Sequence, residues 1–217
     1  QIYEKAGQDA KAIEEFEKAL ASDPNLFDAW FRLGIRFYKM QLFEKARNAF
    51  SRCLDIDPNH LKARYNLGNC QGQLGAYKEA LRSYDACIRI DSKYERAYFR
   101  MGLVHQKTGD ADEAVAALNK SIALNPKNAD AHFALGMIYL EKKDYTKASA
   151  ASAKAAELDD ANRAAHYNLG LALRSLKRWP EALRAFGRAA QLAPDDADTY
   201  YNMGFVRQAT GDDDGAL

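Results

Sequence analysis

The chain has 217 residues, 47% of them hydrophobic, and a formal net charge of +1. That balance excludes a general nucleic-acid binder, which is normally strongly basic. No apolar run approaches the roughly 20 residues of a membrane span, since the best, residues 133–140, is interrupted by Gly136. The three cysteines, Cys53, Cys70 and Cys87, form no C-x-x-C pair. They read as small buried hydrophobes in a reducing, cytoplasmic setting.

Gly34, Gly68, Gly102, Gly136, Gly170 and Gly204 stand 34 residues apart, so the chain is one short unit copied along a line. With the glycine as position 8, position 7 is Leu or Met throughout, and position 20 is alanine from Ala12 to Ala216. Position 24 reads Phe16, Phe50, Tyr84, Leu118, Ser152 and Phe186, and position 4 reads Trp30, Arg64, Tyr98, His132, His166 and Tyr200. Apolar residues recur at helical spacing in two blocks per unit, as in Trp30, Leu33 and Phe37, then Ala46, Phe50, Cys53 and Leu54. Each unit is therefore a helix, a turn and an antiparallel helix. Glycine at position 8 and alanine at position 20 let the two helices approach closely, and neighbouring hairpins must stack to share a core.

In chain order, residues 1–26 are the tail of one repeat. Full repeats occupy 27–60, 61–94, 95–128, 129–162 and 163–196, and residues 197–217 begin another. Gly75, Gly109 and Gly211 mark turns between the helices. Asp110 precedes Glu113 by three residues, as in a capping box, and Pro180 suits the first turn of a helix. Repeat 129–162 is unusual: its second helix is rich in alanine, Ser152 replaces the aromatic, and Asp160 replaces the proline found at Pro24, Pro58, Pro126 and Pro194. This helix is expected either to pack unusually close or to be the loosest joint. Gln1 and Leu217 both fall inside hairpins, so the chain reads as a segment of a longer protein whose end faces could associate.

The order aromatic, Leu-Gly, Ala, aromatic, Ala, Pro over 34 residues resembles the tetratricopeptide repeat (TPR) across the whole chain. The resemblance implies an all-α, right-handed helical-hairpin solenoid, the TPR superhelix, and non-catalytic protein binding as a scaffold or adaptor. No phosphate loop, catalytic cluster or zinc ligand set is legible around Gly68, Gly72, Gly75 or the four histidines. The expectation is no enzyme, no cofactor, no metal and no nucleic-acid partner.

The surface available to a partner is the inner stripe at positions 2, 5, 6, 9, 12 and 13. Position 5 is aromatic in every copy: Phe31, Tyr65, Phe99, Phe133, Tyr167 and Tyr201. Basic residues concentrate in the first three repeats, with Arg32, Lys62, Arg96 and Arg100 on the stripe, while the later repeats are more apolar. Arg96 and Arg100, four apart on one helical face, would exchange mutual repulsion for charge-assisted hydrogen bonds to an acidic ligand. The expected peptide-binding residues are Arg32, Lys62, Tyr65, Asn66, Asn69, Arg96, Phe99 and Arg100. Asn66, Arg96 and Arg100 also match half of the carboxylate clamp of chaperone-binding adaptors, whereas Phe31 and Ile35 depart from its other half. Two alternatives stand beside peptide capture: a substrate-recognition arm of an enzyme such as a protein glycosyltransferase, and a self-assembling scaffold. The asparagine ladder expected of the first is discontinuous at position 6, which runs Arg32, Asn66, Arg100, Ala134, Asn168 and Asn202.

Overall fold

The computed structural model describes residues 2–211, with side chains from residue 10 onward. Gln1 and residues 212–217, including Ala216 and Leu217, lie outside the described residues. The described chain forms helices α1 (Ile2–Ser22), α2 (Phe27–Lys39), α3 (Phe43–Ile56), α4 (Leu61–Gln73), α5 (Tyr77–Ile90), α6 (Glu95–Thr108), α7 (Ala111–Leu124), α8 (Ala129–Glu141), α9 (Tyr145–Leu158), α10 (Arg163–Ser175), α11 (Trp179–Leu192) and α12 (Ala197–Thr210). The starts of α2, α4, α6, α8, α10 and α12 are each 34 residues apart, as are those of α3, α5, α7, α9 and α11. The chain divides into two compact units, Gln1–Thr108 and Gly109–Leu217.

In the first unit α2 pairs with α3 and α4 with α5, while α3 packs on α4, α5 on α6 and α4 also touches α6. Its core holds Leu33, Phe37, Ala46 and Phe50 in one cluster and Ala80, Tyr84, Cys87 and Ala97 in another. In the second unit α8 pairs with α9 and α10 with α11, with α9 against α10 and α11 against α12. Phe186, Leu173 and Val206 belong to one of its core clusters.

The glycine column is explained by what sits on it. A Cβ on Gly34 would lie 2.7 Å from Phe50 Cε1, on Gly68 2.7 Å from Tyr84 Cε1, and on Gly170 2.5 Å from Phe186 Cε1. The position-24 ring of the second helix rests directly on the first helix's backbone. At Gly136 the neighbours are Ser152 atoms, with Oγ at 2.5 Å, the backbone N at 3.3 Å and Cα at 3.5 Å from a Cβ. Without a ring between them, the backbones of α8 and α9 close up, so of the two readings of the alanine-rich helix the geometry is that of close packing.

Position 4 has a second role besides packing. Trp30 Nε1 donates to the Pro24 carbonyl at 2.8 Å, Arg64 to Pro58 at 2.5 Å and Tyr98 to Ser92 at 3.3 Å. His132 Nε2 lies 3.1 Å from the Pro126 carbonyl and His166 Nε2 3.2 Å from that of Asp160. Five contacts thus span six residues each and tie an N–H or O–H to the preceding inter-repeat turn. The column tolerates Trp, Arg, Tyr and His because each carries such a donor.

The turn glycines also acquire a reason. Gly75, Gly109 and Gly211 have φ of 75°, 85° and 75°, and the corresponding residues Gln41, Lys143 and Lys177 adopt φ of 60°, 59° and 57°. One left-handed residue closes each of these hairpins, with or without glycine. Capping departs from expectation at one place: Asp110 stands at the N-cap of α7 without a side-chain capping bond. Caps are made instead by His60, whose Nδ1 accepts from Ala63 N at 3.1 Å, and by Asn128, Asp144 and Asn162. Pro180 occupies the first turn of α11.

Cys53, Cys70 and Cys87 are fully buried free thiols. The Cys53 and Cys87 thiols lie 3.8 Å from the carbonyls of Phe27 and Leu61. Burial pushes all three thiols up to about 12. None should react with iodoacetamide at pH 8 in the folded protein, and all three should react once it is unfolded. Mass spectrometry that finds native modification of any of them would contradict this burial. Because the folded thiols hold their protons to higher pH than unfolded ones, stability should fall as pH rises above about 9 towards 12, and Cys53→Ala should flatten that slope.

Two glycine substitutions should move stability in opposite directions. Gly170→Ala places a methyl against the buried Phe186 ring and should cost about 1–3 kcal/mol despite alanine's helix propensity. Gly187, inside α11, has nothing within 4 Å of a Cβ, so Gly187→Ala should stabilise by up to about 1 kcal/mol. Urea unfolding of both variants checks the pair.

Candidate functional site

Within the first unit, the face formed by α2, α4 and α6 carries a cleft of ≈ 80 Å³. Asn69, Gly72 and Gln73 of α4 meet Arg100, Leu103 and Lys107 of α6 there, with Tyr38 of α2 on one side and Tyr77 and Tyr84 of α5 behind. The repeat geometry makes this meeting: positions 9, 12 and 13 of one first helix face positions 6, 9 and 13 of the next.

Arg100 is the electrostatic centre. It is half-buried, its Nε donates to the Tyr65 hydroxyl at 3.3 Å, and its guanidinium stacks 5.9 Å from the centre of the Phe99 ring. The groups acting on it are the phenols of Tyr65, Tyr84 and Tyr38. Among the described residues it has no carboxylate partner. A half-buried cation satisfied only by neutral oxygens retains capacity for an anion. Tyr84 is buried and donates to Asn69 Oδ1 at 2.9 Å. Burial pushes its phenol up, so it remains a donor throughout the neutral range. The Asn69 oxygen is thereby engaged, leaving its amide N–H₂ as a donor on the cleft wall.

Of the residues anticipated for peptide capture, Asn69 and Arg100 line this cleft together, and Tyr65 holds Arg100 from outside it. Phe99 serves as the stacking surface for Arg100. Arg96 lies near Tyr94, and Tyr94 in turn packs edge-on to Tyr65 with ring centres 5.4 Å apart. Arg32, Lys62 and Asn66 do not line the cleft; the first two are exposed and Asn66 is half-buried. Tyr38, Gln73 and Tyr77 line it without having been singled out, and so does Lys107, one of the basic residues of the inner stripe. Tyr38 and Gln73 occupy positions 12 and 13 of the inner stripe, which is the signal that could have identified them.

The aromatic ladder has a mixed role. Phe31 packs edge-on against Phe50 at 5.7 Å, Tyr65 is tilted against Tyr84 at 6.0 Å, and Tyr167 is edge-on to Phe186 at 5.8 Å. Position 5 therefore covers the ring that covers the glycine. In Tyr65 and Tyr167 the hydroxyl also links consecutive repeats: in the second unit Asn202 Nδ2 donates to Tyr167 at 3.2 Å, across the same 35-residue separation as Arg100 and Tyr65. Arg174 donates to Asn202 Oδ1 and stacks on Phe205. Tyr201, 73% exposed, is the member of the ladder most open to solvent.

Among the described residues no group of three or more His, Cys, Asp or Glu is arranged to hold a metal ion, and no helix is long and apolar enough to cross a membrane.

Residues 99–162 match the tetratricopeptide repeat, and residues 72–109 and 170–211 match the TPR repeat. Residues 5–87 match subunit 3 of the anaphase-promoting complex, cyclosome. No curated protein matches the chain. Among solved structures, YrrB, described as a TPR protein with an unusual peptide-binding site, is similar at a TM-score of 0.70 and 22% identity, over 87% of this chain and 97% of its own. The MamA protein is similar at a TM-score of 0.69 and 25% identity, over 79% of this chain and 94% of its own. The APC/C hetero-tetramer Cut9-Hcn1 is similar at 0.69 and 22% identity, over 94% of this chain and 41% of the matched chain. The fold class is thus the all-α helical-hairpin solenoid. The chain belongs to the tetratricopeptide repeat family.

Proposed function

We propose that this chain is a non-catalytic protein-interaction scaffold that captures an acidic peptide segment on the α2/α4/α6 face of its first unit. The observation that carries the reading is Arg100, a half-buried guanidinium held by Tyr65 and stacked on Phe99, with no carboxylate of its own among the described residues. A ligand carboxylate would supply the missing counter-charge, with the Asn69 amide and Lys107 as further donors beside it. Arg96, Lys62 and Arg32, exposed on the same helices, would steer an acidic chain towards the cleft rather than fix it there. Rigid stacking of the hairpins keeps the ordering cost on the ligand's side. The fold-level likeness to YrrB, whose description names a peptide-binding site, is in keeping with this reading.

The test is fluorescence anisotropy with a labelled Asp/Glu-rich octapeptide against the parent chain and the Arg96→Glu/Arg100→Glu variant. A charge-assisted hydrogen bond contributes about 1.5–3 kcal/mol, so the double reversal should weaken binding by at least about tenfold, and added salt should weaken the parent's binding. Equal affinity for the two proteins, with unchanged helical circular dichroism, would reduce this face to a solvated basic surface.

A further inference from the structure

A second groove lies in the other unit, between its second helices. Its volume is ≈ 580 Å³, within the range of ligand-sized sites. Leu169 and Leu173 of α10 form the floor. Thr146, Ser149, Ala150 and Ala153 of α9 form one wall, and Arg178 at the N-cap of α11 with Glu181, Arg184 and Arg188 of α11 the other. The α9 wall stands low because Ala150 and Ala153 are small and exposed, where α5 carries Arg82 and Asp85 in the same register.

Its two walls differ in chemistry. The α9 wall is small and neutral. The α11 wall presents three guanidinium groups against the single carboxylate of Glu181. Arg178 pairs with Glu181, and Arg188 pairs with Asp160 at the far end, beside His166. Arg184 is exposed and makes no hydrogen bond or close ion pair among the described residues, its charge acting only at longer range on Glu181. Exposed ion pairs of this kind contribute little, so an incoming carboxylate can share Arg178 or Arg188 at small cost. From Arg178 to Arg188 the wall runs about 15 Å, and Arg184 and Arg188 are separated by about 6 Å along the helix axis. Alternate residues of an extended strand are about 6.6 Å apart and point the same way.

We propose that this groove binds an extended peptide in which acidic residues alternate with aliphatic ones. The carboxylates face Arg184 and its neighbours on α11, while the aliphatic side chains lie over Leu169 and Leu173 and against the alanines of α9. Two features select such a ligand together: a cationic wall on which Arg184 and Arg188 stand at about strand spacing, and an apolar floor beside it. The site is separate from the Arg100 cleft and does not depend on it.

The test uses a labelled Glu-Leu-Glu-Leu-Glu-Leu hexapeptide, with Lys-Leu-Lys-Leu-Lys-Leu as control. It is carried out on the 217-residue chain bearing Arg96→Glu/Arg100→Glu, which reverses the two arginines of α6 and leaves only Lys107 at the first cleft. The expected result is saturable binding of the acidic peptide with Kd below about 1 mM. Arg184→Glu and, separately, Ala153→Trp, which fills the groove from an exposed position, should each weaken it by at least about tenfold, and Arg184→Lys should retain most of it. Absence of binding, equal binding of the basic peptide, or indifference to both Arg184→Glu and Ala153→Trp would overturn the proposal. Unchanged circular dichroism of the variants keeps a folding defect from being mistaken for loss of the site.

Discussion

The contact on which this structure depends is a ring seated on a glycine. Where Phe50, Tyr84 and Phe186 lie over Gly34, Gly68 and Gly170, the ring fills the space a Cβ would take and sets the spacing of the two helices in the hairpin. The other columns follow from it. Buried alanine at position 20, Ala46, Ala80 and Ala182 among them, lets the second helix lie flat enough for the ring to reach the glycine. The position-5 aromatic seals the ring from the inner side. The position-4 donor ties five first helices, α2 to α10, to the turn before them. These groups recur along the stack, with Leu118 and Ser152 replacing the ring in two copies, and none of them distinguishes one partner from another.

Function must therefore rest on residues the scaffold leaves over. In the first unit, Arg100 shows how closely the two roles lie: its Nε is used to hold Tyr65 across consecutive repeats, while its charge remains without an acidic partner. Asn202 in the second unit occupies the same register but is fully engaged, bonded to Tyr167, to the Asp198 carbonyl and to Arg174. The same position is a candidate anchor in one unit and a structural tie in the other. What differs is whether the side chain carries a charge that its neighbours do not neutralise.

The hairpin architecture was legible in the sequence because it is periodic: the glycine, alanine and position-24 columns identify themselves by repeating. Features that need two columns at once were hidden. The Tyr65–Arg100 and Tyr167–Asn202 bonds join residues 35 apart in different columns, and nothing in either column alone announces them. Position 4 looked like an aromatic column because a shared hydrogen-bond donor is not visible as a shared shape. Gln41, Lys143 and Lys177 do the work of turn glycines without being glycine, so residue type concealed a conserved geometry along the chain. At the candidate site, Asn69 and Arg100 were anticipated from stripe and charge. Arg32, Lys62 and Asn66 shared the stripe but not the cleft, because position along the helix axis matters as much as face. The alanine-rich α9 was recognisable as lacking bulk, while the groove this opens beside α11 required the helices to be in place.

The most direct measurement of the central constraint is a double-mutant cycle between Gly68 and Tyr84 by urea unfolding. If the ring over the glycine sets the hairpin spacing, Gly68→Ala should be clearly destabilising in the parent chain and much less so, or stabilising, in the Tyr84→Ala background, with a coupling of about 1–3 kcal/mol. The same cost for Gly68→Ala in both backgrounds would contradict the account, because the helices would then be held apart by something other than the ring.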